Sequence, residues 1–495
     1  MGRVSSENWG PGSVAEALCI LQLTGSDVGG GAEQVARGLF ECYRKRGFES
    51  YLAVGYKQTE DGNVIWVPKY GGPGARLRGA ACAWLQSLDG NGRLSRMVHL
   101  WTRPAAWRDV YRGVEDFHFP GTWRLLGLAP SRPDVLHCHN LHGGYFDLEA
   151  LPWLSRQVPT LLTLHDAWLL SGHCAHSLGC ERWRIGCGQC PDLTLYPSVR
   201  KDATAHNWRR KKEIYQASRI YLATPSRWLM NKVDASMLAP AVAEGRVIPH
   251  GVDLAVFHPA DKEAVREQLA IAPKTRVLLF VAKGVKGSPW KDFPMLRAAV
   301  GKLAGSERAK PTLLFVLGEK GAGERINDKV EIRFVPHQSE PRAMARYYQA
   351  ADLYVHAAKV DTFPSAVIEA LACGAPVVAT AVGGIPEQVK GAAITGGPLG
   401  ASGLNGNVPG EATGVLVPAG DAESMAVAVD SVLADDSLRR FLACNASKDA
   451  RKRFDREQQV GAYLNWYREI LKSRDEESRA ASGEAGLGKE AGRLG

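Results

Sequence analysis

Short apolar runs alternate with amphipathic stretches along most of the chain. Residues 18–23 predict a buried strand, a glycine-rich turn follows, and residues 32–43 place apolar side chains at helical spacing. A strand, a glycine-rich turn and an amphipathic helix are typical of the opening unit of a doubly wound α/β sheet. Gly30 and Gly31 in the turn would let the backbone approach a ligand closely, although any tight turn also favours glycine. The turn lacks the GxGxxG pattern, which argues against a nicotinamide enzyme.

This alternation continues through two successive halves of the chain. Further strands are predicted at residues 50–54, 135–138, 160–164, 220–223, 276–282, 312–317, 352–356, 376–380 and 415–417, and a helix at 296–303. Two consecutive α/β halves predict a ligand cleft between them, at the carboxyl ends of their parallel strands. We place the boundary near Arg246, which gives an N-terminal domain of residues 14–245 and a C-terminal domain of residues 246–455.

Three further segments differ from this α/β pattern. Residues 396–414 are rich in glycine and predict a flexible loop. Residues 456–472 carry an apolar stripe at helical spacing, which predicts a helix with one buried face. The last segment, residues 473–495, has almost nothing to bury and predicts a disordered tail.

Length and composition limit the class of protein. A chain of 495 residues is too long for one hydrophobic core, and its apolar content of 45% is that of a folded globular protein. No run approaches the roughly 18 uninterrupted apolar residues of a membrane-spanning helix, and the first apolar run is too short for a secretory signal. We therefore expect a cytoplasmic protein.

The formal net charge is +9, and arginines interleave with tryptophans in one region. The residues of this region are Arg76, Arg78, Trp84, Arg93, Arg96, Trp101, Arg103, Trp107, Arg108 and Arg112. Such a pattern fits peripheral docking on an anionic membrane, and it fits equally a solvated helical region whose tryptophans are core. No nucleic-acid-binding motif accompanies the charge, so we expect no nucleic acid partner.

The segment 361–380 carries the most chemistry. Asp361 precedes a predicted helix with Ser365 as its N-cap, and Glu369 follows about one turn inside that helix. A helix N-terminus offers free backbone N–H groups that suit a diphosphate, and Glu369 would accept hydrogen bonds from sugar or ribose hydroxyls. An ordinary crossover helix with two solvated acids fits the same spacing, and the spacing alone does not decide between them.

Together with residues 348–353 and 383–387, this segment resembles the acid-x7-Glu signature of retaining GT-B glycosyltransferases, especially the GT4 family. The resemblance implies two Rossmann-like domains facing across a nucleotide-sugar cleft, and a final helix that crosses back to the N-terminal domain. It implies transfer of a sugar from a UDP- or GDP-sugar to a hydroxyl of a glycan or lipid-linked acceptor, with retention and without a catalytic metal cofactor. The expected setting is polysaccharide or lipid-linked glycan biosynthesis.

The resemblance also implies roles for single residues. The donor-binding residues would be Gly30, Gly31, Thr362, Phe363, Pro364, Ser365 and Glu369. The catalytic residues would be His165, which contacts the donor sugar, the carboxylate Asp361, and the diphosphate-binding cations Lys283 and Lys291. His139 and Asp166 would lie on the acceptor side.

Four positions depart from the family pattern. Lys283 stands where arginine is usual, Asp292 where glycine is usual, and Asp361 where glutamate is usual; Ala282, before Lys283, also replaces a usual glycine. Lysine keeps the positive charge of arginine but lacks its planar guanidinium group, which binds a phosphate through two hydrogen bonds. These departures leave open a non-catalytic GT-B subunit that binds a partner or a glycan. A sugar phosphorylase or sugar-phosphate synthase on the same fold is a further alternative.

Four cysteines lie close together in sequence, spaced C-x5-C-x6-C-x2-C. They are Cys174, Cys180, Cys187 and Cys190, within a segment of residues 173–191 that also holds His173 and His176. The closing C-x2-C pair is typical of a structural zinc site, whereas two disulfides and four unligated thiols are the alternatives. The segment resembles a cysteine-rich insertion that follows a His-Asp-x-Trp motif in a subset of GT4 proteins, which implies that it shapes the acceptor pocket.

Overall fold

The computed structural model describes residues 18–69, 104–305, 310–393 and 409–490. Within them, a first sheet has seven parallel strands in the order β3-β2-β1-β4-β5-β6-β7. Its strands are β1 Cys19–Ser26, β2 Glu49–Tyr56, β3 Val64–Trp66, β4 Val135–His139, β5 Thr160–Thr163, β6 Ile220–Thr224 and β7 Val242–Val247. Its helices are α1 Gly31–Lys45, α2 Pro104–Tyr111, α3 Leu151–Gln157, α4 Thr204–Gln216 and α5 Arg227–Asp234.

The second sheet has eight strands within the same described ranges, in the order β10-β11-β9-β8-β12-β13-β15-β14. All its pairings are parallel except that of β10 with β11. The strands are β8 Arg276–Val281, β9 Thr312–Leu317, β10 Glu324–Arg325, β11 Val330–Val335, β12 Leu353–His356, β13 Val377–Thr380, β14 Gly391–Ala393 and β15 Gly414–Val417. The helices are α6 Lys262–Gln268, α7 Phe293–Ala304, α8 Pro341–Ala350, α9 Ser365–Ala372, α10 Ile385–Gln388, α11 Ala422–Ala434, α12 Asp436–Arg453 and α13 Arg456–Glu490.

This architecture confirms the predicted fold class of two Rossmann-like α/β domains. The central strands β1, β4, β5, β8, β9, β12 and β13 are buried on both faces, which explains why each reads as a continuous apolar run. The boundary predicted near Arg246 falls inside β7, so the first domain extends to Val247. β7 is an edge strand that carries Glu244 and Arg246 and has no fully buried residue, so it presents no apolar run to predict it.

Helix α13 returns from the second domain to the first. Val460, Tyr463, Trp466, Tyr467 and Ile470 pack in one buried cluster with α1, β1 and β4 of the N-terminal domain. The helix also continues to Glu490, where the sequence predicted a disordered tail from residue 473. The residues of that tail are largely alanine, glutamate, arginine and lysine, which are strong helix formers even where they bury little.

A buried polar network fixes how α13 docks. The imidazole of His137 lies 2.7 Å from both the Tyr467 hydroxyl and the Thr163 hydroxyl, and Tyr463 reaches the same Thr163 hydroxyl at 2.9 Å. An unpaired buried polar group is unfavourable, so this network favours the observed position of α13 over positions shifted along the helix axis.

Two predicted segments fall largely outside the described residues. They are the glycine-rich loop at 396–414, described only from residue 409, and the arginine- and tryptophan-rich stretch up to residue 103. No helix in the described parts of the chain is long and apolar enough to cross a membrane.

Candidate functional site

The predicted site residues lie at the carboxyl ends of strands from both sheets. His139 ends β4 and His165 follows β5 in the first domain, whereas Lys283 follows β8 and Asp361 follows β12 in the second. Because the strands of each sheet are parallel, these ends face the cleft between the domains.

An ion pair occupies the second-domain side of this cleft. The Lys291 ammonium contacts the Asp361 carboxylate, and it also lies 3.2 Å from Nε2 of the buried His356. Burial would raise the pKa of Asp361, but the neighbouring Lys291 charge and His356 hold it below its usual range. Burial and Lys291 together lower the pKa of His356 to about 4, so this imidazole is neutral at pH 7. Lys283 is exposed on the loop after β8, outside this pair.

Helix α9 begins beside this pair, and its N-terminus has no side-chain cap. Pro364 occupies the N-cap position and Ser365 is the first helical residue, so the prediction of Ser365 as the N-cap is wrong. A proline before the helix fixes an extended backbone there and leaves the next N–H groups without a capping side chain. Gly31 of the first domain approaches this point: a Cβ on Gly31 would lie 3.8 Å from the Ser365 hydroxyl.

Two glycines allow the segment around Asp361 to pack against the chain that follows β13. A Cβ on Gly383 would lie 1.8 Å from the Asp361 carbonyl oxygen, and one on Gly384 would lie 2.0 Å from the Thr362 carbonyl oxygen. Gly383 also has a φ of +58°, where side chains are disfavoured. The Gly-Gly pair is therefore needed to hold Asp361 and Thr362 in place. The chain between β7 and α6, residues 248–261, is the domain link. Phe363 packs against it, with its ring edge-on to that of His250 and the ring centres 5.5 Å apart.

Glu369 lies one turn inside α9 and faces a small cavity between the domains. Its carboxylate accepts a hydrogen bond of 2.7 Å from the Tyr348 hydroxyl. The cavity is also lined by Ser365, Gly251 and Arg456. Burial raises the pKa of Glu369, although the bond from Tyr348 partly offsets this effect.

Three histidines form a buried chain from the first sheet to the domain link. Gln22 Oε1 lies 3.1 Å from His139 Nε2, His139 Nδ1 lies 3.1 Å from His165 Nε2, and His165 Nδ1 lies 3.2 Å from His250 Nε2. Burial lowers the pKa of all three histidines, so the three rings are neutral. Because the Gln22 oxygen can only accept, His139 donates to it, His165 donates to His139, and His250 donates to His165. Nδ1 of His250 has no partner among the described residues. His139 is fully buried, so it supports His165 and does not line the acceptor side as predicted. Both ring nitrogens of His165 are engaged within this chain.

The other predicted acceptor-side residue, Asp166, pairs with His142, which lies on the loop after β4. Its carboxylate lies 2.7 Å from His142 Nε2 and accepts a bond from the Trp168 backbone N–H. Burial would raise the pKa of Asp166, but the His142 charge and bond lower it to about 2. Conversely, burial would lower the pKa of His142, but Asp166 raises it.

The four clustered cysteines are half-buried thiols beside this site. Within the described residues, no group of three or more His, Cys, Asp or Glu side chains is arranged to hold a metal ion. Cys190 instead contacts the His173 ring at 3.3 Å, and Cys187 accepts a bond from the Gly172 backbone N–H. Burial raises the pKa of the Cys174 thiol to about 11 and that of Cys187 to about 12, so both are protonated at pH 7.

Contacts between the domains supply further residues that sequence reasoning missed. The Glu387 carboxylate accepts hydrogen bonds of 2.7 Å from the backbone N–H groups of Arg227 and Trp228, at the start of α5. His250 bonds His165 from the domain link. Neither partner is predictable from spacing, since 160 residues separate Glu387 from Arg227 and 85 separate His250 from His165.

Comparison with known proteins gives the family. The model of glycosyltransferase family 4 matches residues 29–256, and that of glycosyl transferases group 1 matches residues 261–449. Together the two matches span most of the chain, and each falls on one of the two domains.

Individual relatives agree. The chain is 28% identical over 381 residues to the D-inositol 3-phosphate glycosyltransferase of Mycolicibacterium gilvum, covering 74% of this chain and 72% of the relative. Its fold is similar to sucrose-phosphate synthase from Thermosynechococcus elongatus (TM-score 0.58, 18% identity, 92% and 100% of the two chains). It is also similar to Anabaena HepE in complex with UDP and glucose (TM-score 0.56, 16% identity, 90% and 98%). The chain thus consists of a glycosyltransferase family 4 domain followed by a glycosyl transferases group 1 domain, on the GT-B fold.

Proposed function

We propose that the protein is a retaining glycosyltransferase that moves a sugar from a UDP-sugar to a hydroxyl of a glycan or lipid-linked acceptor. The observation that carries this proposal is the Lys291–Asp361 pair beside the uncapped N-terminus of α9, with Gly31 facing it from the first domain. A cation, free backbone N–H groups and a carboxylate are the groups that a nucleoside diphosphate sugar requires.

The leaving group sets the chemistry. As the glycosidic bond breaks, negative charge grows on the diphosphate, and fixed positive charge stabilises that transition state. Lys291 and the α9 N-terminus supply such charge from this chain's own residues, so catalysis without a divalent metal is part of the proposal. Asp361 would accept hydrogen bonds from hydroxyls of the donor sugar, and Glu369 from the ribose. Retention follows from front-face attack, in which the departing phosphate accepts the proton of the acceptor hydroxyl.

We propose uracil as the base of the donor because Anabaena HepE, which shares this fold, is in complex with UDP and glucose. The first experiment is thermal unfolding with UDP, GDP and ADP. A ligand that binds only the folded protein at about a hundred times its dissociation constant adds about 2.7 kcal/mol. We expect a shift with UDP that Glu369→Ala abolishes.

Tyr348→Phe is the matched control. It removes the hydroxyl that bonds Glu369 but leaves the carboxylate, so the UDP shift should remain. A shift with GDP or ADP in place of UDP would replace the proposed donor. No shift with any nucleotide would favour the non-catalytic subunit. With donor and acceptor in hand, the anomeric configuration of the product by NMR tests retention, and activity in excess EDTA tests independence from metal.

We also propose that the protein docks on an anionic membrane surface. Trp107 and Tyr111 are 56% and 44% exposed on α2, with their rings stacked at 6.0 Å. The Lys201 ammonium lies 4.6 Å from the centre of the Tyr111 ring, and Arg112 and Arg200 are exposed nearby. Exposed aromatic rings beside cations suit the boundary between headgroups and acyl chains.

Cosedimentation with vesicles tests this surface. Binding should require phosphatidylglycerol in the vesicles, fall with rising salt and weaken in Trp107→Ser. Ile185→Ser, which alters a side chain that is 87% exposed elsewhere, is the control and should bind as the wild type does. Equal loss in both variants would contradict the proposed surface.

A further inference from the structure

The cysteine-rich segment reaches across the cleft and contacts the second domain through one residue. The ring of His176 lies edge-on to the indole of Trp290, with centroids 5.0 Å apart and an interplanar angle of 70°. Trp290 immediately precedes Lys291, so this contact adjoins the Lys291–Asp361 pair. His176 and Trp290 belong to different domains, so their contact joins the two sides of the cleft.

His176 carries a buried nitrogen without a hydrogen-bond partner. Its Nδ1 atom is shielded from solvent, and no described group bonds it. The charged groups that act on the ring are Asp166, Asp361, Lys291 and Lys232. Asp166 is engaged with His142, and Lys291 is engaged with Asp361, so three of these four groups are held in ion pairs. His176 is thus a polar group between two ion pairs whose own bonding capacity is unused.

Hydrogen bonds fix the backbone beside both rings. The Ser171 hydroxyl bonds the Cys174 carbonyl oxygen at 2.7 Å, two residues before His176. On the other side, the Trp290 carbonyl oxygen accepts a bond of 2.8 Å from the Lys359 backbone N–H. An imidazole with a free nitrogen beside an indole is suited to a saccharide, which offers hydroxyl groups at its edge and an apolar C–H surface on its face.

We propose that His176 and Trp290 form the subsite for the sugar acceptor, in which a hydroxyl of the acceptor bonds His176 Nδ1 and the face of the acceptor ring packs on Trp290. This inference rests on the proposed function, and it assigns binding of the sugar acceptor to the cysteine-rich segment. The acceptor is favoured over the donor because His176 comes from the first domain, whereas the groups suited to the nucleotide belong to the second. Since an unpaired buried nitrogen is unfavourable, an acceptor that bonds it also favours closure of the cleft.

The test measures binding of simple saccharides to the full-length protein in the presence and absence of saturating UDP. The probes are the methyl glycosides of glucose, galactose and mannose, titrated by saturation-transfer NMR. His176→Phe keeps a ring against Trp290 and removes the nitrogen. His206→Phe, which alters an exposed histidine on α4, is the matched control.

For the wild type we expect at least one glycoside to bind more tightly with UDP than without. His176→Phe should weaken this binding about tenfold, the loss of one hydrogen bond in a buried site, and should leave the thermal shift with UDP unchanged. His206→Phe should behave as the wild type. Unchanged glycoside affinity in His176→Phe, or a UDP-binding wild type that binds none of the glycosides, would overturn the inference alone. A wild type that binds no nucleotide would overturn the proposed function as well.

Discussion

Replacing Asp361 by asparagine should separate nucleotide binding from turnover. The carboxylate neutralises the Lys291 ammonium, and both side chains are about four-fifths buried. Asparagine keeps the shape and removes the charge, so the variant leaves Lys291 with an unmatched positive charge at the cleft. We therefore expect Asp361→Asn to bind UDP more tightly than the wild type, while its glycosyl transfer falls.

The magnitude follows from the charges. At an effective dielectric constant of about 20, two unit charges about 6 Å apart interact by about 3 kcal/mol. Solvent and salt reduce this repulsion between Asp361 and a bound diphosphate, and we take about 1 kcal/mol as the net gain, about fivefold in affinity. Turnover loses a charge-assisted hydrogen bond to the donor sugar, about 1.5–3 kcal/mol, so kcat should fall by about tenfold or more.

Calorimetric titration with UDP at low and high salt measures the first effect, and steady-state kinetics with a UDP-sugar measures the second. Lys291→Met is the matched variant, and it should weaken UDP binding because it removes the cation and keeps most of the aliphatic chain. The gain in Asp361→Asn should shrink at high salt. A weaker UDP complex in Asp361→Asn at low salt would refute this account of the pair, provided that the variant unfolds cooperatively.

Three further predictions concern contacts around the site. Raising the pH from about 6 to 9 should destabilise the wild type. Folding raises the pKa of His142, so the stabilising charge of this imidazole is lost as the pH rises through the folded-state pKa. His142→Gln should therefore flatten the dependence of the urea midpoint on pH. Glu387→Ala should weaken domain closure by about 2 kcal/mol, since its carboxylate bonds two N–H groups at the start of α5, and X-ray scattering should show a larger radius of gyration. Lys211→Met should cost about 3–5 kcal/mol in urea unfolding, because Lys211 is fully buried against Glu115.

Each of these has an outcome that contradicts it. An equal loss of stability at high pH in His142→Gln would assign the effect to another group. An unchanged radius of gyration in Glu387→Ala would mean that other contacts suffice for closure. Lys211→Met combined with Glu115→Gln should recover part of the stability, and a double variant as unstable as the sum of the two would show that the pair is not coupled.

The central strands were predictable because burial on both faces produces apolar runs. Strand β9 occupies the residues predicted for it, 312–317, and β13 differs from its prediction by one residue. Strands β7 and β11 escaped prediction because charged residues interrupt both, so neither forms a continuous apolar run. Helix α13 extends past its predicted end because helix propensity does not require burial, whereas the prediction of a disordered tail rested on the lack of residues to bury.

Within the site, local spacing predicted local geometry and little else. The start of α9 after Asp361 follows from residues that are neighbours in the chain. The partners of those groups come from distant segments: His250 for His165, and Trp290 for His176. No periodicity connects such pairs, since their contact depends on how the two domains face each other. Sequence therefore predicted the order of groups along the segment after Asp361, but not the distant residues that engage them.

Two of the departures from the family pattern, Asp292 and Asp361, have structural explanations that favour an active enzyme over a binding subunit. Asp292 is the N-cap of α7, where its carboxylate accepts a bond from the Met295 backbone N–H, so it serves the helix and does not compete for Lys291. The shorter side chain of Asp361 still reaches Lys291, because a β-bridge between Lys291 and Ala358 draws the two loops together. One cation and one carboxylate thus remain beside the α9 N-terminus. A protein that had lost catalysis would have no need to keep this pair, and tight UDP binding together with its loss in Lys291→Met would be the evidence that the pair still serves a donor.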